Sequence, residues 1–428
     1  MSNTTIKEAK YIYVDTEQNN NKFWNITLDS NNTVTSHWGR VGEPGKSKSF
    51  PQSSDYSALS DYEKRIRTKE REGYTKCRTL SGSTGSSIIN TNLESVAKSQ
   101  ISTNSPELSN LISYLAKRNI HSILSSTSLS YNDTTGLFST PLGLVTSDAI
   151  SEARFLLNDI ADLVKDQDYF NVKFTSLLNN YLRIIPQNIG RRRPEPQLLY
   201  PNLTAVQNQN NILDSLETSL EVALTRTNDM DEPQMDKIFD VKLNVENDLN
   251  VIERIRQGHH KTRQRMHATY DLDVKKVYNI EIGKMKQNFE ERGKLLGNVM
   301  ELYHGSRSSN ILSIFHKGLI LPPKNASHLT GALFGPYVYF ANQSTKSLNY
   351  SFGAWDIHAK DSNCFLFVAD VAMGNYIVPR YGQQSIPIGH DSFWARPSSS
   401  GIQNDELIVR DPSQANLKYL VEFSPYGR

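Results

Sequence analysis

The period at which apolar residues recur changes twice along this chain, and each change marks a different kind of structure. Near the N-terminus, Tyr11-Ile12-Tyr13-Val14 and Phe23-Trp24-Asn25-Ile26-Thr27-Leu28 are short aromatic and β-branched runs parted by the polar turn Asn19-Asn20-Asn21. That is a hairpin pattern. A second polar turn at residues 29–32 leads into Thr33-Val34-Thr35-Ser36-His37-Trp38-Gly39-Arg40-Val41-Gly42. From residue 105 the spacing becomes three and four, the signature of amphipathic helices, and past residue 231 strand-like alternation returns. A β–α–β succession over 428 residues excludes one ordinary core and predicts a multidomain α+β protein.

Composition narrows the class. Hydrophobic content of 37% and charged content of 21% describe a globular chain, and a net charge of +2 leaves nucleic-acid contacts to local patches. Cys77 and Cys364 are the only cysteines, too few for a zinc finger or a disulfide framework, so a reducing compartment and no metal are expected. Residues 1–10 carry no signal-peptide core and no apolar run reaches a membrane-spanning length, so no membrane partner is expected.

After Gly45 the sequence turns basic and helical, with Lys64, Arg65, Arg67, Lys69, Arg71, Lys76 and Arg78 close together. Ser81-Gly82-Ser83-Thr84-Gly85-Ser86-Ser87 opens a flexible linker expected over 81–104. Ser105 then reads as a cap, Pro106 as the first helical residue, and Leu108, Leu111, Ile112 and Leu115 as one face. Ile150, Ala153, Leu157, Ile160, Ala161 and Val164 predict a second helix. Phe170, Phe174, Leu177, Leu178, Tyr181 and Leu182 predict a third, and Leu213, Leu216, Leu220 and Leu224 a fourth. An all-α bundle over 105–230 follows. Arg191-Arg192-Arg193 between this helix and the next reads as a solvated loop.

In the C-terminal part, alternation over residues 238–245, the segment opening at Tyr270, Cys364-Phe365-Leu366-Phe367-Val368-Ala369-Asp370-Val371, Leu407-Ile408-Val409 and residues 416–423 predict strands. Helix signals between them are few, so a doubly wound sheet is excluded. Neither G-x-G-x-x-G nor G-x-x-x-x-G-K-[ST] occurs, so any dinucleotide is held without a glycine-rich phosphate cradle. Taken singly, His304 after a strand reads as structural, Tyr339 as core and Glu406 before Leu-Ile-Val as a strand-edge charge.

Together, in order, His304-Gly305-Ser306, Tyr339-Phe340-Ala341, Lys346-Ser347-Leu348-Asn349-Tyr350, Glu406 and Asn416-Leu417-Lys418-Tyr419-Leu420 resemble the His-Tyr-Glu set of the poly(ADP-ribose) polymerases. Trp38-Gly39-Arg40 with Gly42 and Gly45 resembles the WGR domain. Pro141-Leu142-Gly143 and Ile185-Pro186-Gln187-Asn188-Ile189-Gly190 resemble the family's helical regulatory domain, with Asp214 where an acidic residue faces the NAD site. The resemblance implies a WGR domain at 5–80, a linker at 81–104, a regulatory domain at 105–230 and a catalytic domain at 231–428. The catalytic domain would be a mixed α/β ADP-ribosyltransferase fold of two packed, antiparallel-rich sheets.

It also implies NAD as substrate, with nicotinamide leaving as a neutral molecule and positive charge building on the ribose. His304 would bind the adenosine-ribose hydroxyl, Gly305 and Ser347 the nicotinamide amide, and Tyr339 and Tyr350 the two sides of the nicotinamide ring. Glu406 would bind the ribose 2′-hydroxyl, and Lys346 would steady the acceptor side. Ser306 and Asn310 would line the adenosine-ribose side. Trp38 and Arg40, with Gly39 between them, would hold DNA ends by stacking and by phosphate pairing; the plainer reading makes Trp38 core and the basic run a solvated helix face.

The partners implied are DNA strand breaks and protein acceptors including the chain itself, with serines around 81–104 and at Ser47 and Ser49 as acceptor hydroxyls. The implied location is nuclear in a eukaryote, cytoplasmic or nucleoid in a bacterium. Tyr303 departs mildly from the family's tryptophan. Pro336 and Tyr337 stand where the family has a small residue and a glycine, which bears on chain elongation. A mono-ADP-ribosyltransferase and a weakly catalytic DNA-break adaptor are the alternatives.

Overall fold

The computed structural model describes residues 4–76, 92–101, 105–134, 136–140, 143–189, 195–224, 237–321, 333–352 and 363–425. The serine run at 81–87 and Arg191-Arg192-Arg193 lie outside the described residues. The protein is a multidomain α+β chain, β-rich at its N-terminus, helical in the middle and sheet-containing beyond. It folds into two compact units: Met1–Asn92 with Ser122–Ala223, and Leu93–His121 with Leu224–Arg428.

The first unit opens with β1 (Thr5–Asp15), β2 (Asn20–Asp29), β3 (Thr33–Arg40), β4 (Lys46–Pro51), α1 (Asp55–Arg71) and β5 (Thr75–Lys76). The strands order β4-β3-β2-β1-β5, antiparallel throughout. Alternation puts Ala9, Tyr11, Trp24, Ile26, Leu28 and Val34 on one face, where Ala58 and Tyr62 of α1 cover them. Ser54 starts α1 with a capping box completed by Ser57.

Within the expected linker, α2 (Leu93–Gln100) is a helix with Leu93, Val96 and Ala97 buried. Two turns of apolar spacing are too short a run to stand out from a polar stretch. Gln100 is fixed by tertiary bonding instead, its Oε1 accepting from the backbone N–H of Ile238 and of Phe239. α3 (Pro106–Ser126) buries the expected Leu108, Leu111, Ile112 and Leu115; its residues through His121 belong to the second unit and those from Ser122 to the first.

Back in the first unit, β6 (Ser130–Tyr131), β7 (Phe138–Thr140) and β8 (Gly143–Leu144) make a small antiparallel sheet. α4 (Ser147–Lys165), α5 (Val172–Ile184), α6 (Pro196–Leu199) and α7 (Leu203–Ala223) follow. The apolar faces expected for α4, α5 and α7 are buried, with two exceptions. Phe170 precedes α5, which the Asn171 side chain caps, and is 92% exposed; Leu224 lies just past α7 and is 54% exposed. Both keep helical spacing without being on the helix.

The second unit continues with β9 (Val241–Val245), α8 (Leu249–Thr262), β10 (Leu272–Ile282), α9 (Gly283–Glu291), β11 (Val299–Gly305), α10 (Ile311–Lys317), β12 (Val338–Phe340), α11 (Ser344–Phe352), β13 (Cys364–Ala372), β14 (Tyr376–Ile377), β15 (Ser392–Ala395), α12 (Pro397–Ser400), β16 (Glu406–Val409) and β17 (Ala415–Pro425). One sheet orders β11-β13-β17-β10-β9 and the other β12-β16-β15-β14. All pairings are antiparallel except β14 with β15.

β13 reads as an unbroken apolar run over residues 364–369 because both its faces are covered there. Cys364, Leu366 and Val368 join Ile255 of α8 and Leu348 of α11 in one core. Phe365 and Phe367 meet Tyr114 of α3 and Phe315 of α10 on the other face. Among the described residues an antiparallel bridge joins the two sheets, Tyr303 and Ala341 exchanging N–H···O bonds of 2.9 Å each way.

Candidate active site

That bridge brings the C-terminal end of β11 against β12, and the expected residues gather around it. His304, next to last in β11, donates from Nδ1 to the Tyr339 carbonyl at 3.0 Å. A carbonyl can only accept, so the bond fixes the tautomer. Burial pushes the His304 pKa below its ordinary value, which keeps the ring neutral and leaves Nε2 as an acceptor.

Gly305 ends the strand against α11. A Cβ built there would lie 1.8 Å from the Ser347 carbonyl oxygen and 2.6 Å from its carbon. The glycine is therefore required by the helix at its back, before any ligand is considered. The same contact orients Ser347, whose hydroxyl, nearly buried, donates to the Tyr303 carbonyl at 3.0 Å. Its proton is committed, so toward a ligand it offers lone pairs.

Tyr339 is held at both ends. Its carbonyl takes the His304 bond, while its hydroxyl donates to the Gly335 carbonyl at 2.8 Å and accepts from the Phe334 N–H at 3.0 Å. Burial, and then the Glu406 charge, push its phenol far above the ordinary range. Tyr350 stands one turn past Lys346 on α11 with 40% of its surface exposed. Burial and Glu406 raise its phenol to about 12. Both rings thus sit within electrostatic reach of the same carboxylate.

Glu406 opens β16, opposite Ala395 of β15. Its Oε1 accepts from Lys346 Nζ at 2.9 Å, and both side chains are largely buried, 15% and 12% exposed. Its Oε2 is buried with no hydrogen-bond partner. A carboxylate oxygen in that state is costly unless something donates to it. Lys346 also donates to the Asp405 carbonyl at 2.9 Å, so two of its protons are engaged at the start of β16 and the residue before it. Burial lowers the Lys346 pKa, against the opposing charges of Glu406 and Asp405.

Ser306 follows the strand, half-buried, and Asn310 closes a 3₁₀ turn at Ser308–Asn310, its Oδ1 accepting from Ser309 Oγ at 3.3 Å. Asn119 of α3 donates to the Ser309 carbonyl at 2.9 Å from a fully buried position. Sequence patterns did not point to Asn119, nor to Asn342, Trp394 and Asp405. Asp405 Oδ2 accepts from Asn342 Nδ2 and from Trp394 Nε1, both at 2.9 Å. Among the described residues no cluster of three or more His, Cys, Asp or Glu could hold a metal.

In the first unit, Trp38 pairs across from Trp24, and Tyr11 pairs with Trp24 in turn, on the face that α1 covers. Trp38 lies at the end of that row and is 37% exposed, so it is not a core residue. Gly39 is the tight point: a Cβ there would lie 2.6 Å from the Gly45 Cα and 3.1 Å from the Phe23 ring. Gly45 answers it at a φ of 75°, with a Cβ meeting Phe23 and the Trp38 carbonyl at 2.7 Å. Arg40 donates to the backbone carbonyl of Asn19 at 3.1 Å and to its side-chain oxygen at 2.7 Å. The basic helix is largely self-paired: Arg65 with Asp61, Arg67 with Glu63 and Lys69 with Glu72. Arg65 also stacks on Phe50 at 3.5 Å. Asp214 of α7 pairs with Arg154 of α4 at 2.5 Å, beside Glu217 at 3.1 Å.

Comparisons with known proteins match three families along the chain. Residues 10–79 match the WGR domain, residues 102–242 the poly(ADP-ribose) polymerase regulatory domain and residues 250–380 the poly(ADP-ribose) polymerase catalytic domain. The last span stops short of Glu406. Poly [ADP-ribose] polymerase 1 of Caenorhabditis elegans is 25% identical, covering 97% of this chain and 49% of its own length. That of Gallus gallus is 28% identical over 66% of this chain and 30% of its own. Poly [ADP-ribose] polymerase 2 of Zea mays is 23% identical over 86% of this chain and 58% of its own. The chain thus spans about half or less of the first two relatives. In order, it is built from a WGR domain, a poly(ADP-ribose) polymerase regulatory domain and a poly(ADP-ribose) polymerase catalytic domain.

Proposed function

We propose that the chain is an NAD-dependent ADP-ribosyltransferase that DNA ends activate, modifying protein acceptors including itself and extending poly(ADP-ribose). The observation that carries this is the unpartnered Oε2 of Glu406, half of a buried carboxylate whose other oxygen Lys346 holds. It is beside two tyrosines and a neutral histidine. A ribose 2′-hydroxyl is the donor that oxygen lacks.

In the reaction, the bond from ribose C1′ to the nicotinamide nitrogen breaks and both electrons leave with the ring, which departs neutral. The ribose becomes oxocarbenium-like, and Glu406 offsets its charge. The acceptor hydroxyl oxygen then bonds C1′ and its proton leaves by way of the Glu406 carboxylate. His304 Nε2 accepts from the adenosine-ribose hydroxyl. Gly305 backbone and the Ser347 lone pairs bind the carboxamide, Tyr339 and Tyr350 flank the ring, and Ser306 and Asn310 line the ribose side. Trp38 and Arg40 engage the DNA end, with Arg40 exchanging its Asn19 bonds for phosphate. In a eukaryotic cell such an enzyme works in the nucleus.

The test incubates the full chain with labelled NAD, with and without nicked or blunt DNA. DNA-stimulated nicotinamide release and polymer are expected. Equal release in both arms removes the DNA coupling, and no release removes the transferase. One observation favours a second reading, mono-ADP-ribosyl transfer. Just ahead of Tyr339, the Tyr337 ring packs 6.4 Å from Phe393 and its hydroxyl accepts from the Ile386 N–H at 3.3 Å, filling the loop where the family keeps small residues. Product length on a gel separates the two.

A further inference from the structure

We propose that Asp405 is a positioning residue for Glu406, clamping it through Trp394, Asn342 and Lys346. This rests on the reading of Glu406 as the ribose-facing carboxylate. The clamp has three anchors, on β15, on α11 and on the turn between β12 and α11. Trp394 on β15 and Asn342, between β12 and α11, each donate to Asp405 Oδ2 at 2.9 Å. Lys346 on α11 spans the backbone carbonyl of Asp405 and the Oε1 of Glu406, 2.9 Å to each. Glu406 is the first residue of a four-residue strand, paired with Ala395 of β15 and one residue ahead of the β12 ladder, which begins at Leu407.

Trp394 is itself fixed. Its ring packs 5.2 Å from Tyr376, and the Arg396 guanidinium lies 4.5 Å over its face. The indole N–H is therefore aimed before Asp405 arrives, and a donor fixed by packing places its acceptor firmly. The result is a carboxylate with one oxygen spoken for and the other kept free. Positioning of this kind acts on the chemical step, because a displacement of about 1 Å at a reacting group costs on the order of 100-fold in rate.

Asp405 also contributes charge. Lys346 faces Glu406 of β16, Asp405 just before it and the neighbouring His267, whose Nδ1 is bonded to Thr345 at 2.8 Å. The Asp405 charge supports the protonated form of Lys346 against burial. Removing that charge while keeping the acceptor separates geometry from electrostatics.

The experiment measures DNA-stimulated nicotinamide release by the full chain carrying Asp405→Ala, Asp405→Asn, Trp394→Phe and Glu406→Gln, singly and with Asp405→Ala added to Glu406→Gln. Asp405→Ala is expected to lower kcat on the order of 100-fold with KM for NAD within about threefold. Asp405→Asn, whose amide oxygen can accept both bonds, restores kcat to within about threefold, and the alkaline limb of its pH profile moves to lower pH. Trp394→Phe falls between. In the Glu406→Gln background Asp405→Ala costs nothing further, because it acts through a group already disabled. An equal loss in both backgrounds, or a loss carried by KM alone, overturns the clamp. Should the wild-type chain release no nicotinamide, the functional reading fails by itself. A crystal structure of Asp405→Ala then reads the clamp: Glu406 displaced from Lys346 supports it, and an unmoved pair overturns it.

Discussion

Replacing Gly305 by alanine adds one methyl group where the structure leaves no room. The new Cβ falls 1.8 Å from the Ser347 carbonyl oxygen, about 1.2 Å inside the 3.0 Å that real Cβ contacts respect. Backbone stands on both sides of the clash, so no rotamer relieves it, and β11 and α11 must part. Overpacking a close-packed interior costs about 1–3 kcal/mol, and a backbone clash belongs at the upper end. Loss of chain entropy in the unfolded state returns about 0.4–1 kcal/mol, which leaves a net loss of about 2 kcal/mol. For a unit of this size that lowers Tm by about 4–8 °C. Differential scanning calorimetry of the full chain reads it directly. The same separation moves His304 and Ser347 apart, so nicotinamide release should fall on the order of 100-fold. A Gly305→Ala chain with unchanged or raised Tm would show that β11 and α11 are not in contact as described, and the account of Gly305 would fail.

Three further outcomes follow from the same structure. Trp38→Ala should weaken binding of a blunt DNA end by about 1–3 kcal/mol in a fluorescence-polarisation titration while leaving Tm within about 2 °C, because Trp38 lies at the exposed end of its row. Arg154→Met should lower stability by about 2 kcal/mol in guanidinium titrations, since the Asp214 and Glu217 carboxylates that support the buried Arg154 charge would lose their ion pairs with it. Burial holds the His259 pKa at about 4, from an ordinary 6.5, with its Nε2 donating to the Leu272 carbonyl at 2.9 Å. The unfolded chain then binds a proton that the folded chain refuses between those values. Its contribution is complete above pH 6.5 and is lost as pH falls toward 4, about 2 kcal/mol by pH 5. A denaturation midpoint that stays level between pH 7.5 and 5 would contradict it.

What the sequence showed of this fold followed from periodicity. β13 could be placed because a strand covered on both faces is apolar along most of its length, here residues 364–369, and α4 and α7 because one face of each is buried along many turns. Phe170 and Leu224 kept the helical spacing one step past where a cap or a helix end had already stopped it. α2 went unseen because what fixes it is bonding to Ile238 and Phe239, more than a hundred residues away. The site behaved similarly. His304, Tyr339, Ser347, Tyr350 and Glu406 are placed around one bridge between sheets, while the side chains bonded to Asp405 and Glu406 come from residues 342, 346 and 394, a set that no local spacing connects. Lys346 was visible as a residue next to Ser347, but its attachment to β16 was not.

The Gly39–Gly45 contact separates two kinds of constraint that a three-letter motif writes as one. In a library of variants selected only for folded, protease-resistant protein, Gly39 and Gly45 should tolerate almost no substitution, because backbone meets backbone there. Trp38 should vary freely in that library and become fixed only when retention on DNA is the selection. The middle letter of the motif would then record the architecture of the sheet, and the first letter its use.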